Sequence, residues 1–151
     1  MTDTAKVGNP PGIDRKKLTI QEALEVRRAL EVLKRLEVPA GKTSINISLN
    51  FNKLNHLVNT VNEFIEKQRE KYLKKGNDGK YIFLKGGTFE FKTPEDMQRS
   101  FAEEKTFFES EYDDTFSLLR LNARVLEKTP KITPDLLGAV YPITEEEFSL
   151  P

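Results

Sequence analysis

The chain has 151 residues, 32% of them charged and 37% apolar, with 24 basic side chains against 24 acidic ones and no cysteine. That length makes one domain, or one domain with tails, around a modest core. A zero net charge argues against a general nucleic-acid binder, which needs a basic footprint to displace counterions, and the lack of cysteine excludes disulfides and thiolate chemistry.

Residues 1–17 include Gly8, Pro10, Pro11 and Gly12 and hardly any apolar side chain. They read as a flexible N-terminal arm with no apolar core of a signal peptide. Residues 18–143 read as a single helical domain and residues 144–151 as a loose acidic tail. Thr19 is placed to cap a first helix, with Glu22 completing a capping box. Ala23, Val26, Leu30 and Leu33 then recur at helical spacing, and Pro39 and Gly41 stop the helix near Glu37.

Thr43 or Ser44 opens a second helix running to about Lys75, about 48 Å at the α-helical rise. Along it Ile47, Phe51, Leu54, Val58, Val61, Ile65, Gln68 and Tyr72 keep a 4-3-4-3 spacing, a heptad seam that only Gln68 interrupts. The short connection makes the two helices an antiparallel hairpin. The first helix is too short to cover the far half of the seam, and Leu57 and Phe64 widen the seam beyond a simple coiled coil.

Tyr81, Phe83, Phe89 and Phe91 alternate with polar residues around Lys85-Gly86-Gly87-Thr88, which predicts a β-hairpin at about 80–92. Thr93 then caps a third helix, with Pro94 in its first position and Glu95 and Asp96 in its first turn. Met97, Phe101 and Phe108, with Phe107 beside them, are its expected buried stripe against the far half of helix two. Phe116, Leu118, Leu119 and Leu121 form a short strand or extended segment, and Thr133-Pro134-Asp135 opens a last short helix that Pro142 stops. The predicted fold class is mainly α, an antiparallel helical hairpin with a long second helix plus a third helix, with a small β-hairpin attached.

Motifs for chemistry are lacking. His56 is the single histidine and falls opposite the seam, so it has no partner histidine for a metal set. Glu103, Glu104, Glu109, Glu111, Asp113 and Asp114 read as a solvated acidic face, and Asn77-Asp78-Gly79 as a turn without the ligand series of a calcium loop. Gly86-Gly87 lacks a phosphate-loop frame. No enzyme, cofactor, metal or small-molecule substrate is expected, and no run approaches the roughly 20 apolar residues that span a bilayer. Asn52, Asn55, Asn59 and Asn62 repeat at 3-4-3 spacing beside the seam, with Arg69 further along. Asparagine is a mediocre helix former. The stripe is either a water-facing flank or a polar line that contacts a protein partner or a bound backbone.

The stretches Ala23-Leu24-Glu25-Val26-Arg27-Arg28-Ala29-Leu30 and Leu36-Glu37-Val38-Pro39-Ala40, the long Asn- and Lys-bearing helix, and Ile132-Thr133-Pro134-Asp135-Leu136-Leu137 resemble small helical proteins encoded by tailed bacteriophages. The resemblance spans about residues 19–80 and 130–143 and carries over no functional residue. It implies a role in the virion, its assembly or the contest with the host, in the host cytoplasm or the particle. The function expected is therefore protein–protein interaction, as a structural or assembly component with a protein partner or a second copy. A small inhibitor of a host protein and a nucleic-acid-handling accessory protein are the alternatives.

Overall fold

The computed structural model describes residues 16–145. Most of the expected arm (1–15) and of the expected tail (146–151) lies outside the described residues. The chain is mainly helical, with α1 (Ile20–Leu33), α2 (Lys42–Tyr72), α3 (Pro94–Glu109), α4 (Ala123–Glu127) and α5 (Pro134–Val140), and short 3-10 turns at Thr115–Ser117 and Tyr141–Ile143. The described residues divide into two compact units, 16–56 with 111–145, and 57–110. Each contains half of α2.

In the first unit, the capping box that starts α1 forms as predicted. Thr19 Oγ1 accepts from the Glu22 amide at 3.1 Å, and the Glu22 carboxylate accepts from the Thr19 amide at 2.9 Å. The helix buries Ala23, Val26, Ala29, Leu30 and Leu33. It ends at Leu33, short of Glu37, because the Arg35 and Leu36 amides fold back onto the Val32 and Leu33 carbonyls in a tighter turn. Helices α1 and α2 run antiparallel: Arg27 Nε donates to Asn55 Oδ1 at 2.9 Å, while Lys34 lies 4.3 Å from the Phe51 ring centre.

The seam residues Ile47 and Leu54 are buried here, together with Leu118, Leu121, Leu126, Leu137, Val140 and Ile143. Helix α5 starts at the predicted Thr133 cap and packs on α1. Helix α4 escaped the periodicity reading because five residues carry no repeat, although Asn122 caps it through the Arg124 and Val125 amides. Thr144, placed at the start of the tail from sequence, is fully buried beside Leu121, whose carbonyl accepts from the Glu145 amide at 2.8 Å.

In the second unit, α2 from Leu57 onward runs antiparallel to α3, with Phe64 stacked on Phe107 at 4.0 Å and Tyr72 bonded to Glu103 at 2.6 Å. The predicted β-hairpin does not form a sheet. Its two arms meet only at the isolated Phe83–Phe89 bridge, and residues just after α2 compete for both of them, through Lys75–Tyr81 and Leu73–Phe91. The amide of Ile82 donates to Lys74, that of Lys74 to Glu90, and that of Glu90 back to Ile82. Pairing is thus shared around a closed ring of three segments, and no two strands extend a ladder. The glycine turn itself is present: Gly87 adopts φ 84°, which L side chains rarely take, and the Leu84 amide donates to Thr88 across it at 2.7 Å.

Candidate functional site

Helix α3 is turned about its axis from the expected orientation. Ser100 is its buried residue, whereas Met97 is 38% and Phe101 55% exposed. The cause is polar. Gln68, the break in the heptad seam, is buried. It accepts from Ser100 Oγ at 3.2 Å and donates to Glu103 Oε1 at 2.8 Å, so Ser100, Glu103 and Phe107 face α2. The apolar line Met97, Phe101 and Phe108 is left beside that contact, where it forms one wall of a groove of about 700 Å³.

The opposite wall is Ile65 and Arg69 of α2 with Leu73 just after it, and the closed ring supplies Leu84, Phe89 and Phe91. The size and the aromatic lining fall in the range of natural binding sites. Its lips project into solvent, with Leu84 42% exposed beside Met97 and Phe101. Arg69 lies with its guanidinium carbon 5.2 Å from the Phe89 ring centre, a cation–π distance, and donates to Glu66 at 3.2 Å. On the α3 wall stands Glu104, and among the described residues no ion pair engages it.

Below the groove, Glu103 gathers Tyr72 Oη at 2.6 Å, Gln68 at 2.8 Å and Lys71 Nζ at 3.3 Å. Hydrogen bonds from Tyr72 first, then from Gln68, and the Lys71 ammonium hold this carboxyl at a pKa of about 2. An unfolded glutamate titrates near ~4.3. Because the folded value is the lower one, the stability this group adds is complete above that point and disappears as pH falls toward 2. Carboxyl-carbon NMR should place the Glu103 midpoint near 2, and Glu103→Gln should flatten the acid limb of the stability curve. A midpoint above 4 would contradict the network.

No family model, curated protein or solved structure matches the chain. Among the described residues no helix is long and apolar enough to cross a membrane, and no group of three or more histidine, cysteine or carboxylate side chains is placed to hold a metal ion.

Of the residues singled out from sequence, Arg69 lines the groove. Asn52, Asn59 and Asn62 are exposed, and Asn55 is half-buried under Arg27. A different polar stripe on α2 does bind a backbone. Thr43, Asn46, Asn50 and Lys53, also at 3-4-3 spacing, grip residues 117–122 of the same chain. Lys53 Nζ donates to the Ser117 carbonyl at 2.6 Å and Asn46 Nδ2 to that of Arg120 at 3.0 Å, while Thr43 Oγ1 accepts from the Asn122 amide at 3.2 Å. Asn50 makes both bonds to Leu119, donating to its carbonyl at 2.8 Å and accepting from its amide at 2.7 Å. The available signal was the spacing of this stripe on the side of α2 that continues the seam through Ile47 and Leu54.

Proposed function

We propose that this chain is a non-enzymatic protein–protein interaction protein that docks a partner in the groove between the C-terminal half of α2 and α3. The observation that carries the reading is the exposure of Phe101, Met97 and Leu84 around one apolar concavity. Contiguous projecting apolar side chains of this kind are costly in water and mark contact surfaces. Gln68 turns α3 so that Met97 and Phe101 stay out of the core, a placement that serves contact better than stability. The resemblance to small tailed-phage proteins adds the setting of a structural or assembly component.

A photo-crosslinking residue at Met97 tests the reading in extract of the producing cells. Adducts with protein are expected from position 97 and not from a control at exposed Glu63. Absence of any protein adduct at 97, or equal labelling from both positions, would sink it.

A further inference from the structure

We propose that the groove's occupant is the same groove of a second copy of this chain, in a two-fold dimer; the inference rests on the docking reading above. A two-fold interface needs one patch that carries both halves of every contact. This patch does. It has a concavity lined by Ile65, Leu73 and Phe108, and beside it the projecting Phe101, Met97 and Leu84 that can fill the mate's concavity.

The charges are complementary to themselves in the same way. Arg69 stands on the α2 wall and Glu104 on the α3 wall, so a two-fold axis between them brings each Arg69 to the mate's Glu104 and forms the pair twice. Arg69 uses one nitrogen toward Glu66, leaving donors of its five N–H groups for a second carboxylate. Glu104 has no ion pair of its own among the described residues. Basic and acidic residues balance within 57–110 and in the whole chain, so no long-range repulsion holds two copies apart.

Sedimentation velocity and light scattering of the purified chain, from about 1 to 300 µM to cover weak dissociation constants, decide it. The mass of two chains is expected at the upper end. Phe101→Asp should hold the mass at one chain, and Met97→Asp should do the same; both alter exposed positions, and circular dichroism checks that helicity is kept. Arg69→Glu alone and Glu104→Arg alone should each weaken association by about tenfold or more, since like charges then face each other. Mixing these two variants should restore a two-chain species, because every cross-pair is again opposite in sign.

A single-chain mass across the whole range overturns the proposal, and so does a dimer indifferent to Phe101→Asp. The docking reading fails separately. A chain that is monomeric yet crosslinks from Met97 to a different protein sinks the second copy alone, whereas no protein adduct of any kind sinks both.

Discussion

An Asn50→Ala variant is expected to lose about 3 kcal/mol of stability, the largest effect of any polar substitution in the 16–56 and 111–145 unit. Asn50 is fully buried and satisfies both backbone groups of Leu119, with bonds of 2.7 and 2.8 Å. Alanine leaves an amide and a carbonyl without partners, and each buried unpaired group costs about 1–3 kcal/mol. Asn50→Asp separates the two bonds. The carboxylate still accepts from the Leu119 amide but turns a second oxygen toward the Leu119 carbonyl.

That variant should be at least as destabilised as Asn50→Ala at neutral pH. It should partly recover in acid, when a protonated carboxyl can donate again. The folded-state pKa of the introduced group is then raised, so its contribution is present at low pH and lost as pH rises through that value. Exposed Asn52, changed to alanine, should stay within about 0.5 kcal/mol. Urea denaturation together with hydrogen exchange at the Leu119 amide checks all three. Equal effects of Asn50→Ala and Asn52→Ala would mean that the 117–122 segment is not held by this stripe.

This pair of asparagine stripes also marks how far the sequence could be read. Helix starts at Thr19, Thr93 and Thr133 were legible because a cap is a local bond between a side chain and an amide three residues on. The heptad seam was legible in part: Ile47, Leu54, Val61, Gln68 and Tyr72 are buried, whereas Phe51, Val58 and Ile65 are half-buried. Which polar stripe of α2 takes a backbone was not legible, because Asn46 and Asn52 differ only in what lies opposite, and that depends on residues 64–79 positions away in the chain.

The groove was hidden for a related reason. Apolar spacing on α3 predicts an inward stripe at Met97, Phe101 and Phe108, but a single buried amide at Gln68 recruits Ser100 and Glu103 and turns the helix. A hydrophobic pattern identifies faces able to be buried and leaves open which one a hydrogen-bond network selects. The hairpin failed on similar ground, since alternation at 81–91 does not reveal that Lys74 bonds to both of its arms.

Leu54→Ala and Phe101→Ala turn that distinction into numbers. Both residues belong to apolar stripes of good helical spacing, and the phenylalanine is the larger. Leu54, however, is 0% exposed and Phe101 is 55% exposed. Truncating Leu54 removes buried methyl groups and leaves a cavity, a loss of about 3 kcal/mol, while Phe101→Ala should cost no more than about 1 kcal/mol in dilute solution. Concentration separates them further. Association that buries Phe101 stabilises the native chain by mass action, so the penalty for Phe101→Ala should grow as protein concentration rises, whereas that for Leu54→Ala should stay constant. Denaturation curves at two concentrations a hundredfold apart test this. A Phe101→Ala penalty that is large at both concentrations would mean the ring is already covered within the chain, and the groove would then be part of the core and unavailable for docking.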